Sequence, residues 1–196
     1  MTKIEKTFAD VTTYSGDIWV ADYTEKSKQL PKGLRKGVVI QGSPFTDISS
    51  FYLKNKERID IQAVNFERNQ GFFPQGVENC ECLFRPKSVG KGWLLLCELK
   101  YCKSGNIRVN ADKAYDQLIE TWNLLEERKL FSSKRCKVFL NISVPEHSDI
   151  LAPFCSFMTN QDERIASLKK RRVHLLGVNS VLAINSGILL TVPTSV

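Results

Sequence analysis

An acidic and a basic residue stand two positions apart inside an otherwise apolar segment, residues 93–101, which reads WLLLCELKY. The apolar run predicts a β-strand covered on both faces, and side chains two apart in a strand point to the same face. Glu98 and Lys100 are therefore expected to stand side by side. Because a charge in a buried strand is costly unless it is paired or bound to a metal, the pattern indicates either an ion pair near the strand end or a functional site.

Two more carboxylates, those of Glu78 and Glu81, precede this segment in another predicted strand. A predicted hairpin loop at residues 85–92 joins the two strands. Pairing around its centre places one of the two glutamates across from Glu98, and the unknown register leaves open which one. Two converging carboxylates make an oxygen-rich site suited to Mg²⁺ or Mn²⁺. A neighbouring lysine can orient or activate an attacking water and offset charge on a phosphate.

The clearest helix is predicted over residues 111–129, with Asn110 as its N-cap. Its apolar residues follow a helical spacing and form one stripe that faces a core; they are Ala111, Tyr115, Leu118, Trp122 and Leu125. Gln117 borders this stripe, about 100° from Leu118. We therefore expect Gln117 to lean over the edge of the sheet beside the acidic site.

The remaining elements predict a single domain, residues 1–196, of the α/β or α+β class, in which helices pack on a sheet. A helix is predicted from Ser43-Pro44 to about Arg58, and strands are predicted over residues 59–66, 77–84, 93–101 and 137–144. Further helices are predicted within residues 148–159 and from a capping box at residues 160–163. Residues 185–187 are predicted to form a tight turn between two final strands.

The order of these candidate residues resembles that of the PD-(D/E)XK nuclease superfamily. Glu81 lies in a predicted strand, Glu98-Leu99-Lys100 in the strand after the hairpin, and Gln117 in the helix that follows. The resemblance covers about residues 47–144, so residues 1–46 and 145–196 are interpreted as elaborations of this core, the latter with extra strands. It implies a restriction-endonuclease-like fold, a mixed central sheet flanked by helices. It also implies an Mg²⁺-dependent or Mn²⁺-dependent endo- or exonuclease that hydrolyses phosphodiester bonds.

The resemblance further implies a role for each candidate residue. The implied metal ligands are Glu81, Glu98, the backbone carbonyl of Leu99, Glu78 as the alternative to Glu81, and Glu57 late in the first predicted helix. The implied catalytic residues are Glu81, Glu98, Lys100, which would work on the water, and Gln117, which would support the site. The family usually has Asp at the first strand position, often after Pro, whereas Glu81 follows Cys80 here. The alternative is a catalytically inactive nuclease-like fold that acts as a nucleic-acid-binding or protein-assembly module.

The charge balance is consistent with a polyanionic partner. The chain has 28 basic and 21 acidic residues, a net charge of +7, and such a surplus fits a polyanion such as nucleic acid. Taken together with the order of the acids, the lysine and the glutamine, it makes DNA the expected substrate. The basic residues interpreted as phosphate contacts lie in the hairpin loop and after the Glu98–Lys100 strand; they are Arg85, Lys87, Lys91, Lys103 and Arg108. The chain has only two histidines, which argues against chemistry that needs several His ligands. A homodimer or larger complex is left open.

The N-terminal residues and the cysteines indicate a cytoplasmic protein. The first ten residues, MTKIEKTFAD, lack the apolar core of a signal peptide. The six cysteines are expected to be free thiols, and Cys80, Cys82, Cys97 and Cys102 lack a common zinc spacing, which leaves a zinc module as the weakest alternative. The most apolar region, residues 173–193, is interrupted by polar residues. It therefore predicts strands rather than a membrane span.

Overall fold

The computed structural model describes residues 2–87, 92–132, 134, 136–147 and 162–191. Its α-helices are α1 (Lys3–Thr7), α2 (Thr24–Ser27), α3 (Ile107–Glu127) and α4 (Asp162–Lys170). Its strands are β1 (Val11–Tyr14), β2 (Ile18–Asp22), β3 (Val38–Gln41), β4 (Phe51–Asn55), β5 (Ile61–Asn65), β6 (Cys82–Pro86), β7 (Trp93–Leu99), β8 (Lys137–Ser143), β9 (Val173–Leu176), β10 (Ser180–Asn185) and β11 (Ile188–Thr191). Short 3-10 helices lie at Lys32–Leu34, Glu67–Phe72 and Ser104–Asn106.

The strands form two mixed sheets. The central sheet has six strands in the order β1-β5-β6-β7-β8-β9. Strands β5, β6 and β7 form an antiparallel meander, and β8 and β9 continue it in parallel with β7. Since parallel neighbours need a crossover, α3 connects β7 to β8. The second sheet has five strands in the order β11-β10-β4-β2-β3. These two mixed sheets with flanking helices confirm the predicted α+β class.

The two faces of the central sheet are covered by different partners. Leu94 and Leu96 of β7 belong to a core that includes Trp122 of α3. Leu95 and Cys97, on the opposite face, belong to a core shared with the second sheet. Every residue of β7 is buried, which confirms the predicted strand covered on both faces. Side chains of β7 that follow Leu94 and Leu96 in this alternation, including Glu98, therefore stand on the helix-covered face.

The helix predicted from Ser43-Pro44 to about Arg58 is wrong. Residues 51–55 form β4, which pairs with both β2 and β10 in the second sheet. Phe51 and Leu53 are buried, and their period of two is that of a half-buried strand. A short apolar segment fits both periods, so the pairing partners rather than the spacing decided the outcome.

Other boundaries shift by a few residues. Helix α3 begins at Ile107 rather than at residue 111, because the buried Ile107 extends its apolar stripe by one turn. Asn110 therefore lies inside the helix and donates to the Asn106 carbonyl at 2.9 Å instead of capping the helix.

The C-terminal strands divide between the two sheets. The predicted turn at residues 185–187 is confirmed, since it joins β10 to β11 in an antiparallel hairpin of the second sheet. Strand β9, earlier in the same apolar region, pairs with β8 in the central sheet instead. The helix predicted within residues 148–159 and the start of the capping box at residues 160–161 lie outside the described residues. In the described ranges, no helix is long and apolar enough to cross a membrane.

Candidate active site

The register between β6 and β7 brings two carboxylates face to face. Cys82 pairs with Cys97, so Glu81 and Glu98 are the next opposed positions at this end of the antiparallel pair. The backbone N–H of Glu81 donates to Oε2 of Glu98 at 3.1 Å. The backbone N–H of Leu99 donates to Oε2 of Glu81, also at 3.1 Å. Each carboxylate is thus held by the backbone of the opposite strand.

Lys100 and Gln117 complete a polar cluster around Glu98. The Lys100 ammonium donates to Oε1 of Glu98 at 2.5 Å and to Oε1 of Gln117 at 2.8 Å. The Gln117 side-chain amide then donates to the Asn79 carbonyl at 3.3 Å. The structure therefore places Gln117 over the acidic site, where the helical spacing predicted it.

Thr121 is a supporting residue that was not predicted from the sequence. It lies one turn after Gln117 in α3 and is fully buried. Its hydroxyl donates to the Gln117 carbonyl at 2.8 Å and accepts from the backbone N–H of Cys80 at 2.9 Å. The backbone just before Glu81 is thereby fastened to the helix. A buried threonine next to the apolar stripe, one turn from a candidate residue, was the available signal.

The other two predicted acids lie apart from this pair. Glu78 is exposed, and its carboxylate lies 3.9 Å from the Lys113 ammonium at the rim of the cleft that holds the pair. The β6–β7 register therefore selects Glu81 as the acid opposite Glu98. The helix expected to carry Glu57 does not form, and Glu57 lies in an exposed turn after β4. Because β2 and β4 are antiparallel, this turn lies beside the start of β2, whereas Asp22 lies at its other end. The structure therefore does not bring Glu57 to the acidic pair.

The acidic pair opens into a cleft of about 490 Å³ that the second sheet helps to enclose. The charged residues along its wall are mostly acidic; they are Asp22, Glu25, Glu67, Glu78, Glu81, Glu98 and Lys100. Asp22, at the end of β2, accepts from the backbone N–H of Thr24 at 2.8 Å. Asp22 is not indicated by the sequence alone, because it is far from the other acids in the chain and belongs to the other sheet. The cleft as a whole attracts cations and repels phosphates.

The two facing carboxylates hold protons more tightly than ordinary glutamates. Burial raises the pKa of Glu98 to about 7, although the Lys100 ammonium lowers it. Burial also raises the pKa of Glu81 well above its usual range, and the negative charges of Glu98 and Asp22 raise it further. One lysine therefore does not compensate the charge of this cluster. Like charges held this close disfavour simultaneous ionisation.

The donor set fits a hard divalent cation. Carboxylate oxygens are the ligands that Mg²⁺ and Mn²⁺ prefer, and Oε1 of Glu81 accepts no hydrogen bond from any described residue. The part of the chain that the structure describes contains no group of three or more His, Cys, Asp and Glu residues arranged to hold a metal. Mg²⁺, however, is often bound through one or two carboxylates and keeps several waters. Glu81 and Glu98 are therefore the residues that would hold such an ion, with the Leu99 backbone lining the same cleft.

The cysteines near the site do not make a thiolate centre. Cys80 and Cys82 are buried, and burial raises the pKa of both thiols well above the usual value. Zinc binds the thiolate form, which apolar surroundings disfavour.

The raised carboxylate pKa values make stability depend on pH. Above the ordinary glutamate pKa of about 4.5 the unfolded chain releases protons that the folded protein keeps, so stability falls as pH rises through about 7. Glu81→Gln removes one of the two like charges and retains an oxygen acceptor for the Leu99 N–H. Without metal, we expect this variant to unfold at a higher temperature than the wild type at pH 8. The increase should be about 2–4 °C for each kcal/mol gained in the free energy of unfolding, and at pH 5 the two proteins should differ little.

Thermal unfolding followed by circular dichroism in EDTA at the two pH values measures this effect. Glu78→Gln is the matched control, since Glu78 is exposed and paired with Lys113, and its unfolding temperature should stay close to that of the wild type. A Glu81→Gln protein that is less stable than the wild type at pH 8 would contradict the expected repulsion.

The basic residues predicted to contact nucleic acid lie at two ends of the central sheet. Lys103 and Arg108 are exposed near the start of α3, at the end of β7 that carries Glu98. Arg85 and Lys87 belong to the β6–β7 hairpin at the opposite end. The hairpin residues therefore do not flank the acidic site, since the length of β7, about 20 Å at 3.3 Å per residue, separates them from it. Lys91 lies outside the described residues.

Comparison of the chain with protein-family models, curated proteins and solved structures finds no match. The similarity to PD-(D/E)XK nucleases thus stays an expectation that rests on the order of the strands, the acids, the lysine and the glutamine. The chemical function is therefore inferred from the contacts of Glu81, Glu98, Lys100 and Gln117.

Proposed function

We propose that the protein is a metal-dependent nuclease that hydrolyses phosphodiester bonds in nucleic acid, with DNA as the favoured substrate and Mg²⁺ or Mn²⁺ as the cofactor. The observation that carries the proposal is the convergence of Glu81, Glu98 and Lys100 at the end of β7, with Gln117 over them. Buried ionisable groups with displaced pKa values, gathered in a cleft, are typical of functional sites.

A purely structural ion pair does not account for this cluster. Pairing Lys100 requires one carboxylate, and Glu98 supplies it at 2.5 Å. Glu81 adds a second carboxylate that raises the proton affinity of the site and opposes folding at neutral pH. Proteins break the rules of favourable packing mainly at functional sites. The second carboxylate is therefore best explained by a ligand that carries positive charge.

The chain's own residues supply positioning and charge. A divalent cation held by the two glutamates would polarise a phosphate oxygen and lower the pKa of a bound water. Lys100 presents its ammonium beside the carboxylates, where it can orient the attacking water and offset negative charge that develops on the phosphate. Gln117 keeps the ammonium in place, because its own amide is anchored on the Asn79 carbonyl. Burial strengthens each of these electrostatic contacts relative to water.

The second candidate function is a catalytically inactive nuclease-like module that binds nucleic acid or assembles with other proteins. This function is favoured by the hydrogen bonds that the Lys100 ammonium already donates to Glu98 and Gln117. With these bonds, the three side chains have hydrogen-bond partners without a metal or a substrate. The glutamate at position 81, in place of the family's usual aspartate, also favours it. Such a module would bind nucleic acid in a salt-sensitive way without needing a divalent cation.

Cleavage assays distinguish the two functions. Labelled single- and double-stranded DNA and RNA are incubated with the protein at pH 8 in Mg²⁺, Mn²⁺ or EDTA. The nuclease proposal expects cleavage of at least one substrate with a divalent cation and none in EDTA. If none of the four substrates is cleaved with either metal, the nuclease function is rejected and the module remains.

The proposal extends to the protein's surroundings. We propose the cytoplasm as its location, since the described cysteines Cys80, Cys82, Cys97, Cys102 and Cys136 are free thiols, as is usual in a reducing compartment. Nucleic acid is the proposed partner, and assembly into a homodimer is compatible with either function.

A further inference from the structure

A second cleft lies at the end of the central sheet opposite to the acidic site. Its volume is about 680 Å³, within the roughly 300–1,000 Å³ of ordinary ligand sites. Its charged lining is mostly basic, with Lys3, Arg85, Lys87, Lys129 and Lys134; we call these five residues and their cleft the basic cleft. Three separate parts of the chain meet there, the N-terminal helix, the β6–β7 hairpin and the segment after α3. Of these residues, the sequence alone indicates only those of the hairpin.

The basic residues of this cleft lack a carboxylate partner within the part of the chain that the structure describes. Its one acidic lining residue, Glu126, is engaged by Arg171 at 2.7 Å. Across the described ranges, none of the five basic residues forms an ion pair with a carboxylate. The Lys3 ammonium instead donates to the Lys129 carbonyl, which ties α1 to the end of α3. The cleft therefore presents a concentration of positive charge that an anion would offset.

Arg85 distinguishes this cleft from an ordinary lysine-rich surface. Its side chain is partly buried, its Nε donates to the Pro86 carbonyl at 3.0 Å, and its guanidinium lies over the Phe131 ring at 5.6 Å. Burial lowers the pKa of this guanidinium, because partial removal from water disfavours its charged form. Arg is a preferred partner for phosphate groups because its planar donors match their oxygens. The Phe131 ring and the hydrogen bond from Nε to the Pro86 carbonyl hold the guanidinium in a fixed orientation.

We propose that the basic cleft binds the phosphate backbone of nucleic acid and anchors the substrate at a distance from the acidic site. This inference rests on the proposed function, since it takes nucleic acid as the ligand. The two sites are separated by about the length of β7, roughly 20 Å, which corresponds to about six nucleotides at roughly 3.4 Å per nucleotide. Contacts to phosphates position a nucleic acid without reading its sequence, and the acidic cleft itself repels phosphates. An anchor elsewhere supplies the affinity that the acidic cleft lacks.

The test compares two charge-reversal variants that differ only in place. Lys87→Glu/Lys134→Glu changes two exposed residues of the basic cleft. Lys54→Glu/Lys56→Glu changes two exposed residues in and after β4, on the second sheet. Each variant replaces two lysines with two glutamates, so the loss of net charge is equal. All four positions are exposed, and circular dichroism is expected to show wild-type unfolding temperatures.

Binding of a fluorescein-labelled single-stranded DNA of about 20 nucleotides is measured by anisotropy in EDTA over a range of salt concentrations. We expect the basic-cleft variant to bind about tenfold or more weakly, with a salt slope smaller by about 1.4, since each lost phosphate contact removes about 0.7. We expect the β4 variant to bind within about twofold of the wild type. Equal weakening of both variants, or no weakening of the basic-cleft variant, overturns the inference.

The outcomes separate this inference from the proposed function, because binding in EDTA is measured without the divalent cation that cleavage requires. If the wild type cleaves DNA with Mg²⁺ but the basic-cleft variant binds as tightly as the wild type, the anchor is rejected and the nuclease stands. If the basic-cleft variant loses binding selectively but the wild type cleaves no substrate, the nuclease is rejected and the basic cleft stands as a binding site. Arg85→Gln provides a second variant that leaves all the lysines in place. We expect it to weaken binding as well.

Discussion

Glu98→Gln is expected to abolish metal-dependent cleavage while the protein remains folded. Glutamine preserves the size of the side chain and one acceptor oxygen, but it removes the negative charge that would hold a divalent cation. A bound metal contributes several kcal/mol of charge stabilisation in the transition state, so we expect cleavage to fall by about a thousandfold or more. The same substitution should remove any rise in unfolding temperature that Mn²⁺ causes in the wild type, because ligand-induced stabilisation requires the binding site.

Glu78→Gln is the matched control for this experiment. It makes the same chemical change in the same cleft, but Glu78 is exposed at the rim and 3.9 Å from Lys113. We expect its cleavage rate and its Mn²⁺-induced stabilisation to stay within about twofold of the wild type, which is typical of a weak exposed ion pair. Loss of cleavage in Glu78→Gln with full activity in Glu98→Gln would place the metal elsewhere in the cleft and contradict the assignment.

Lys100→Met is expected to separate chemistry from metal binding. Methionine fills most of the lysine volume but cannot donate to a water or to Gln117. General acid–base and charge-orienting groups contribute about 10²–10⁴-fold, so we expect cleavage to fall within that range. The two carboxylates remain, and Mn²⁺ should still raise the unfolding temperature of this variant. Retained cleavage in Lys100→Met would remove the lysine from the mechanism.

The same variant should also show a pH-dependent loss of stability. Lys100 lowers the pKa of Glu98, which burial raises to about 7; without the ammonium, the pKa of Glu98 rises further. The stability that this raised pKa contributes is complete below about pH 4.5, where the unfolded chain is protonated too, and it is lost as pH rises through the folded-state pKa. The variant should therefore resemble the wild type at pH 5, where Glu98 is protonated in both. It should be less stable at pH 8, where a buried carboxylate has lost its partner.

Thermal unfolding in EDTA at pH 5 and pH 8 measures this difference. Gln117→Leu, which leaves the Lys100–Glu98 ion pair in place, provides a comparison in which the difference between the two pH values should be smaller. A Lys100→Met protein that is destabilised equally at both pH values would indicate lost packing rather than a lost ion pair.

The acidic site could be predicted from the sequence because its residues are close along the chain and carried by regular elements. Glu98 and Lys100 share a face through the period of a strand, and Gln117 borders the apolar stripe of α3 through the period of a helix. Both periods are local properties. The choice between Glu78 and Glu81 was not local, since it depends on which residues of β6 and β7 pair. Cys82 pairs with Cys97, and this register decided in favour of Glu81.

The second sheet and its consequences could not be predicted in the same way. Residues 51–55 carry apolar positions that fit a helix or a strand, and only their pairing with β2 and β10 made them a strand. Asp22 reaches the acidic cleft because the second sheet covers the central one, and Lys3 and Lys134 reach the basic cleft from segments that lie far apart in the chain. Side-chain periodicity is set by the local backbone, so the sequence by itself determined which residues share a face. Contacts between distant segments depend on strand register and on the packing of whole elements, and these only the tertiary structure decided.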